Sequence, residues 1–527
     1  MREKILIALK KRIPEDVRVD VSIAENKAFG HYSSNVSFKL AKIRNKAPRE
    51  IAEGLSLSLS NEKEFEKVEV AGGGFLNFRL SQKVLAHELK DILKKADAYG
   101  SKKLSKAKQK KIQVEYISAN PTGPLTLANG RGGFLGDAIA NVLAAAGHKV
   151  EREYYVNDTG NQVRTLGLSL IASAGFIPFE ETFYKGEYVK DWALANKTTV
   201  KKFKDNPEHL GGLAANHFLK LIKTAIEKKA GIHFDRYTSE KNDVHGKKFI
   251  EKALELFKEL GVSYEKDGAL WLKTTDYGDD KDRVLVTSEK TPTYFLADAG
   301  HYFETKVRGF DEKILILGPD HYGYVSRIQA AATIVGLPSS KVIITQAVRL
   351  IRGGKEAKMS KRKGLFVTFQ ELIEDVSPDA ARFFFLMISP DTHMDFDLDL
   401  AKEKSLKNPV FYAQYAYVRA VSIIKKTKIK KGKEDLSLLG SGEDIHLMLK
   451  LSEFPEILED AAGDYAIHRI TKYILELSKA FHNFYEKERV GGVDDELVRA
   501  RLALVGATAV VLKNALGVLG VSTPKKM

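Results

Sequence analysis

The strongest constraint on the fold is a strand–loop–helix–strand unit at residues 111–156. The predicted strand KIQVEYISA precedes the Gly/Pro-punctuated loop NPTGPLTLANGRGG, and the apolar residues of FLGDAIANVLAAAG then recur with helical spacing up to a stop at Gly147. The strand HKVEREYYV completes the unit. Farther along the chain, KILILG (313–318) and KVIITQAVRL (341–350) are predicted strands separated by a helix. This alternation predicts an α/β fold whose parallel sheet binds ligands at the carboxyl ends of its strands.

Further segments are predicted on either side of this sheet and within it. Before it lies a small α+β unit with strands around the turn Gly72-Gly73-Gly74, followed by a lysine-rich linker. After it the pattern is helical, and Asn408-Pro409 predicts the N-cap and first turn of a helical bundle. The predicted boundaries are 1–85 for the α+β domain, 86–110 for the basic linker, 111–404 for a Rossmann-type catalytic domain with an insertion at about 165–285, and 405–527 for the α-helical bundle.

Composition limits the classes of function. The 527 residues carry a net charge of +15, which favours a polyanionic partner, although charge alone is equally consistent with solubility. The absence of cysteine excludes disulfides, cysteine-ligated metals and a cysteine nucleophile. The start of the chain lacks the features of a signal peptide, and no run of about 20 apolar residues is evident. We therefore expect a cytoplasmic protein without a membrane span, and we expect it to be a monomer.

A glycine-containing loop at 353–364 carries Lys358-Met359-Ser360-Lys361-Arg362. This motif resembles the second signature of class I aminoacyl-tRNA synthetases, and the resemblance places its first four residues at ATP. Departure of pyrophosphate builds negative charge on the β and γ phosphates, which mobile ammonium groups can stabilise. Lys358 and Lys361 are therefore predicted to be catalytic, whereas the alternative for such a charge run is a solvated basic loop.

The first loop resembles the arginyl-tRNA synthetases in particular. Val-Glu-Tyr-Ile-Ser-Ala-Asn-Pro-Thr-Gly-Pro precedes, and Gly-Arg-Gly-Gly-Phe-Leu-Gly-Asp follows, the place where class I enzymes carry His-Ile-Gly-His at a helix N-terminus. Here the four residues are Thr126-Leu127-Ala128-Asn129. The resemblance implies that Thr126 and Asn129 bind ATP and act in catalysis, with Ala128 beside the adenine. Because neutral donors bind phosphate more weakly than cationic ones, activation is expected to be slower by about tenfold to a hundredfold.

Other matching segments imply an arginine pocket. The residues corresponding to Glu115 and Asn120 line the arginine in this family, and those corresponding to Tyr294 and Asp298 close the site from the other side. A guanidinium needs a carboxylate partner, and Asp298 is predicted to supply it. The segment Gly318-Pro-Asp-His-Tyr-Gly-Tyr324 resembles the family's Gly-Ala-Asp-His-His-Gly-Tyr, so His321 is predicted to contact the adenosine or the arginine, with a packing histidine as the alternative.

Both ends of the chain resemble tRNA-binding parts of the same family. AFGHYSSNVSFKLAK near the start resembles the extra N-terminal domain that meets the tRNA elbow, and NPVFYAQYAYVRAVSI resembles the helical anticodon-binding domain. Aromatic side chains on that helix suit stacking on unpaired bases, although helical aromatics are more often part of a core. We expect Gln414, Tyr417 and Arg419 to face RNA.

The resemblance implies an enzyme that activates arginine with ATP, accompanied by Mg²⁺ for which no dedicated protein site is evident, and transfers it to tRNA(Arg). Two alternatives stay open. The lost histidines are consistent with a non-catalytic tRNA-binding relative, although such a protein would not need the Lys-Met-Ser-Lys-Arg loop. A class I enzyme for another amino acid, such as glutamate, would need a basic pocket, which the acidic Glu115 and Asp298 do not provide.

Overall fold

The chain begins with an antiparallel sheet covered by helices. The computed structural model describes residues 1–24, 29–357, 368–429 and 432–527. The sheet order is β1-β2-β4-β3, and β3 and β4 form the hairpin predicted around Gly72-Gly73-Gly74. The elements are α1 (Arg2–Lys10), β1 (Val21–Ile23), β2 (Tyr32–Ser34), α2 (Val36–Arg44), α3 (Pro48–Leu59), β3 (Phe65–Ala71) and β4 (Phe75–Leu80).

The segment predicted to be a basic linker starts inside a helix. After β4, α4 (Gln82–Lys95) packs against the C-terminal bundle, and a 3-10 turn (Ala96–Ala98) follows. The amide of Asn514, near the end of the chain, donates to the carbonyls of Ala96 and Tyr99 at 2.9 and 3.0 Å. The segment predicted to be a linker is therefore held against the C-terminal bundle as far as Tyr99.

The central sheet has five parallel strands in the order β12-β11-β5-β6-β7. Because the strand order reverses between β5 and β11, the carboxyl ends of these two strands border the crevice where such sheets bind ligands. The sheet confirms the predicted fold class. Its strands and main covering helices are β5 (Lys111–Glu115), α5 (Leu127–Ala145), β6 (Lys149–Val156), β7 (Arg236–Ser239), α11 (Tyr294–Val307), β11 (Glu312–Leu317), α12 (Val325–Ile334) and β12 (Ser340–Ile344).

One sequence prediction about strands is wrong, and one strand was not predicted. The segment 341–350 is not one strand: β12 ends at Ile344, and β13 (Val348–Arg352) belongs to a second, three-stranded sheet. Thr345 N–H still donates to Leu317 O of β11, but Gln346 N–H donates to Pro390 O instead, both at 2.8 Å, so the backbone leaves β11 between these two residues. The sequence also gave no sign of β7, a fifth parallel strand that lies within the range assigned to the insertion.

The segments between the parallel strands form two smaller units. One is helical, and in it α6 and α9 cross so closely that a Cβ at Gly167 or Gly211 would overlap a backbone carbonyl of the facing helix. The other carries an antiparallel sheet in the order β10-β9-β8. Their elements are α6 (Asn161–Ser173), α7 (Glu187–Ala195), α8 (Lys197–Lys202), α9 (Pro207–Lys223), α10 (Phe249–Glu259), β8 (Ser263–Lys266), β9 (Ala269–Leu272) and β10 (Arg283–Val286).

Beyond the parallel sheet come a small mixed sheet and a helical bundle. The mixed sheet, β14-β13-β15, is followed by the bundle that Asn408 and Pro409 initiate as predicted. The longest bundle helix, α19, has the length and hydropathy to cross a bilayer, but 56% of its apolar window is buried in the protein. The elements are β14 (Lys355–Glu356), α13 (Phe369–Val376), α14 (Pro378–Met387), β15 (Met394–Asp397), α15 (Leu398–Lys402), α16 (Pro409–Lys426), α17 (Gly442–Asp464), α18 (His468–Lys487) and α19 (Asp495–Val518).

Candidate active site

One face of the parallel sheet is unusually polar, and α11 covers it. Side chains alternate between the faces of a strand, so every second residue of β5, β6 and β11 shares this face. The register places Glu115 opposite Glu153 on one side and Leu315 on the other, with Gln113 opposite Lys313. The opposite face carries apolar residues of the core. The residues of the polar face are Gln113, Glu115, Glu151, Glu153 and Lys313; they are met by His301, Glu304 and Thr305 of α11 and by Arg308 directly after it.

Glu115, at the end of β5, contacts Lys313 and His301. Its Oε2 lies 2.6 Å from Lys313 Nζ and 3.1 Å from His301 Nε2, and its Oε1 accepts a hydrogen bond from Ser118 Oγ at 3.1 Å. Burial alone would raise the pKa of Glu115, but the Lys313 charge and the contact with His301 hold that pKa well below its ordinary value. The carboxylate therefore stays ionised with both oxygens engaged.

Glu153, on the neighbouring strand, has its own partners. Its Oε2 accepts from Arg308 at 2.6 Å and from Gln113 at 2.6 Å. Arg308 also pairs with Glu304 at 3.2 Å and with Glu151. The other oxygen, Oε1, is buried without a hydrogen bond among the described residues. The polar face and the residues that cover it thus contain three buried carboxylates (Glu115, Glu153 and Glu304), Lys313 and Arg308, with His301 between them.

Asp298 lies one turn before His301 on α11 and has no such partner. It takes part in no hydrogen bond or ion pair within the described parts of the chain. Burial is the main cause, and the charge of Glu240 the next, of a rise in the pKa of Asp298 to about 7. Burial also raises the pKa of Glu240, whose nearest ionisable partner is His245 at 3.4 Å. Asp298 and Glu240 are thus neighbouring carboxylates without a lysine or arginine partner among the described residues, and together they form a candidate site for a bound cation.

The other residues predicted for arginine lie around this pair. Tyr294 begins α11 one turn before Asp298, and its side chain is 68% exposed, so the structure leaves it free to cover a ligand. Asn120 is half-buried in the loop after β5, where its carbonyl accepts from Thr122 N–H at 2.7 Å. Ile117 and Ser118 precede it with φ angles of +65° and +38°, a strained conformation for residues other than glycine.

Thr126 and Asn129 form a capping box at the N-terminus of α5. Asn129 Oδ1 accepts from Thr126 N–H at 2.9 Å and from Thr126 Oγ1 at 2.8 Å, and Asn129 N–H donates to Thr126 Oγ1 at 3.4 Å. The amide group of Asn129 donates to no described residue. Ala128 is half-buried beside them. This helix end has unpaired N–H groups and a positive dipole, and is therefore suited to an anion.

The Lys-Met-Ser-Lys-Arg residues, including Lys358, Met359, Ser360 and Lys361, lie outside the described residues. The backbone after them returns beside α5, because Phe369 N–H donates to Leu125 O at 3.0 Å. A Cβ at Gly130 would overlap the ring of Phe369, so only glycine allows this close packing. The exit of the loop is thus fixed next to Thr126.

His321 occupies an exposed 3-10 turn (Pro319–Tyr324) directly after β11. Its Nε2 lies 3.4 Å from Asp320 Oδ2, and its ring is 5.8 Å from that of Tyr324. The turn therefore lies at the carboxyl edge of the sheet, as predicted, and its histidine is not a core residue.

The residues predicted to face RNA differ in their surroundings. Gln414 is buried, and its amide donates to Asp379 Oδ2 and Ser522 O, both at 2.9 Å, which uses both amide hydrogens internally. Tyr417 is partly buried against the core. Arg419 lies 4.2 Å from the ring centroid of Tyr485, in a groove of about 640 Å³. The groove is lined by basic and aromatic residues and by two glutamates: Tyr415, Arg419, Lys426, Tyr485, Arg489, Glu486 and Glu488, the last of which pairs with Arg501.

A metal ion is not needed to explain the acidic groups on the sheet. Donor atoms of Glu115, Glu153 and His301 lie within 4.8 Å of one another. However, the Lys313 ammonium already lies 2.6 Å from Glu115 and 2.8 Å from His301. An internal cation therefore fills the place that a bound cation would take between these two residues.

Sequence reasoning missed Glu240, His301 and Lys313. Glu240 follows the short polar strand β7, which carries no recognisable pattern. Two signals were nevertheless present. His301 lies seven residues after Tyr294 and three after Asp298, which is one face of a helix, and Lys313 interrupts an apolar strand. A lysine within such a strand usually has a buried partner.

Family models match nearly the whole chain. The "Arginyl tRNA synthetase N terminal domain" matches residues 1–80, "tRNA synthetases class I (R), catalytic domain" matches 88–384, and "DALR anticodon binding domain" matches 413–527. These ranges follow the three structural parts described above.

Full-length relatives agree with these matches. An arginine–tRNA ligase of Syntrophotalea carbinolica is 40% identical over 98% of this chain and 95% of its own, and arginine–tRNA ligase 1 of Halalkalibacterium halodurans is 41% identical over 100% and 98%. The structure of Thermus thermophilus arginyl-tRNA synthetase superposes with a TM-score of 0.78 over 100% of this chain and 99% of that one, at 23% identity, which shows a shared fold.

Proposed function

Because the chain belongs to the arginyl-tRNA synthetase family, it is an arginine–tRNA ligase, and we propose that the polar sheet face under α11 and the N-terminus of α5 form its active site. The observation that carries this proposal is Asp298, which has no hydrogen bond or ion pair among the described residues and lies near Glu240, whose own cationic neighbour is a histidine, His245. Two carboxylates without a lysine or arginine partner fit a guanidinium. The substrates are arginine, tRNA(Arg) and ATP, which enters as its magnesium complex. We place the enzyme in the cytoplasm.

The first step joins arginine to AMP. An oxygen of the arginine carboxylate attacks the α-phosphorus of ATP, and the bond between that phosphorus and the pyrophosphate oxygen breaks. No enzyme nucleophile is required, so the protein contributes position and charge. Asp298 and Glu240 hold the guanidinium, while Glu115 and Asn120 face the α-amino end. In the second step a hydroxyl of the terminal adenosine attacks the arginyl carbonyl, and AMP leaves.

The N-terminus of α5 binds the ATP phosphates in this proposal. The Thr126–Asn129 capping box directs Asn129 Oδ1 inwards, so its amide hydrogens remain available to phosphate, as do the N–H groups of the first turn. Phe369, where the described chain resumes after the lysine motif, lies beside Thr126. Lys358 and Lys361 are proposed to stabilise the charge that develops on departing pyrophosphate. His321 and Ala128 lie at the adenosine.

The bundle groove is the proposed contact with unpaired tRNA bases. Arg419 over Tyr485 offers a flat, cationic surface for stacking, and Lys426 and Arg489 add charge for the backbone. Tyr417 remains a proposed RNA neighbour. Gln414 is not included, because its amide is used within the protein.

Arginine-dependent exchange between ATP and pyrophosphate, measured with and without tRNA, tests the function directly. We expect exchange with arginine but not with lysine or citrulline, and charging of tRNA(Arg) when all substrates are present. A protein that binds tRNA but supports neither reaction under any condition would be the non-catalytic relative instead, with the Thr126/Asn129 substitution as the cause.

Arginine binding is expected to weaken as the pH falls through about 7. Burial and then Glu240 raise the pKa of Asp298 to about 7, and protonated Asp298 cannot pair with the guanidinium, which stays charged in this range. KM for arginine should be lowest at alkaline pH and rise by about tenfold per unit well below the pKa. The measurement is KM for arginine across that range, with KM for ATP as the control. A constant arginine KM would contradict the assignment.

A further inference from the structure

Lys313 is a fully buried lysine in the middle of the parallel sheet. It lies in β11 (EKILIL), and its side chain has no solvent exposure. A buried ammonium is unfavourable unless it is paired and hydrogen-bonded. Lys313 Nζ lies 2.6 Å from Glu115 Oε2 and 2.8 Å from His301 Nε2, and 4.8 Å from the ring centroid of Tyr302. The ammonium thus has close partners on two other elements.

The Lys313–Glu115 ion pair is linked by hydrogen bonds to the strained turn after β5. Glu115 Oε1 accepts from Ser118 Oγ at 3.1 Å, and Ser118 Oγ accepts from Tyr155 N–H on β6 at 3.0 Å. Ile117 and Ser118 both have positive φ, a conformation that persists only where the surroundings hold it. The same turn leads to Asn120. Lys313 is therefore the fixed end of a chain of contacts that holds this turn.

No other described cation is free to replace Lys313. The charged groups that face Glu115 are Lys313 from β11, His301 and Asp298 from α11, and Glu153 from β6. Arg308 is the next permanent cation, and its contacts are with Glu151, Glu153 and Glu304. Without Lys313, Glu115 would be a buried carboxylate whose only nearby cation is a histidine that must first be protonated.

We propose that Lys313 is a positioning residue for arginine activation: its ammonium fixes the Glu115 carboxylate and, through Ser118, the turn that presents Asn120 to the substrate. This inference rests on the proposed arginine site, which Glu115 and Asn120 line. Lys313 itself does not touch substrate, because Glu115 and the covering helix α11 separate it from solvent. It acts on arginine through Glu115.

The experiment compares Lys313→Met with wild type in ATP–pyrophosphate exchange with tRNA bound. We expect KM for arginine to rise by about tenfold or more, because one partner of a buried charge pair is lost. KM for ATP should stay within about twofold, since separate sites respond independently. Lys313→Arg keeps the charge and should recover most of the loss. Lys341→Met, an exposed lysine on the adjacent strand β12, is the matched control and should match wild type.

Glu115→Gln and the double variant Glu115→Gln/Lys313→Met separate the possible explanations. If Glu115→Gln leaves KM for arginine unchanged, the proposed arginine site is wrong. If Glu115→Gln raises that KM but Lys313→Met does not, Lys313 is not a positioning residue. If both variants raise KM for arginine and their effects do not add in the double variant, the inference stands, whereas full additivity overturns it.

Lys313→Met alone could fail to fold, and the double variant covers that case. Equal arginine KM values for Glu115→Gln and the double variant then support the inference, and a higher value in the double variant overturns it.

Discussion

Asp298→Asn is expected to lower kcat/KM for arginine by about a thousandfold, because the guanidinium loses the carboxylate that has no other partner and retains only Glu240. The isosteric amide keeps the shape of the side chain but would present a donor to another donor. The structure leaves Asp298 without any described partner, so the substitution removes no internal contact. The loss should therefore appear in activity and not in stability. Steady-state exchange and tRNA charging measure the first, and thermal unfolding measures the second.

The preference of the enzyme for arginine over citrulline tests the role of Asp298 more sharply than its rate with arginine alone. Citrulline has a neutral urea group in place of the guanidinium, so Asp298→Asn should reduce the preference for arginine over citrulline along with kcat/KM. Asp276→Asn, an exposed aspartate in the turn at Thr275–Tyr277, is the matched control and should behave as wild type. An Asp298→Asn enzyme with wild-type arginine kinetics would show that the guanidinium binds elsewhere.

How much of this molecule the sequence predicts depends on the range of the interactions involved. Strands β5, β6 and β11 and helix α5 were predicted because their periodicity is local, and the helical bundle was predicted from the Asn408-Pro409 start. β7 was missed because its four residues, RYTS, have no apolar alternation. The prediction joined β12 and β13 because the residues between them have the composition of a strand. They are separate because Gln346 N–H bonds to Pro390 O and not to β11.

For the active site too, what the sequence predicts depends on whether the interactions are local or tertiary. The residues selected through the family resemblance include Glu115 and Asp298, which the fold places in one charge cluster with His301 between them. The sequence did not predict that the two carboxylates have different partners: Glu115 is paired with Lys313, whereas Asp298 is unpaired among the described residues. That difference depends on which strand lies beside β5, and strand order is a tertiary property. The Thr126–Asn129 pair likewise appeared as a loss of two histidines, whereas the structure shows a self-capped helix start.

Arg382→Met is expected to destabilise the protein by about 3–5 kcal/mol, since it leaves a buried carboxylate without its main counter-ion. Arg382, on α14, is almost fully buried and pairs with Asp137 on α5. It also donates to Leu519 O at 3.1 Å at the end of α19, and to Ala230 O and Gly231 O at 3.3 and 3.1 Å. One guanidinium therefore joins the helix that begins at Thr126, the loop before β7 and the bundle. Urea unfolding measures the change in free energy.

The control for this prediction is an ion pair of similar geometry at the surface. Arg349 makes two 2.7 Å contacts with Asp395, but both side chains are exposed, so Arg349→Met should unfold at the wild-type urea concentration. Adding Asp137→Asn to Arg382→Met removes the stranded charge and should recover part of the loss, because the penalty belongs to the unpaired carboxylate. If Arg382→Met unfolds together with Arg349→Met, the buried pair does not hold the bundle to α5. The connection between the tRNA-binding bundle and the catalytic sheet would then depend on apolar packing and on other polar contacts, such as the 2.7 Å hydrogen bond from Tyr465 to Glu312 on β11.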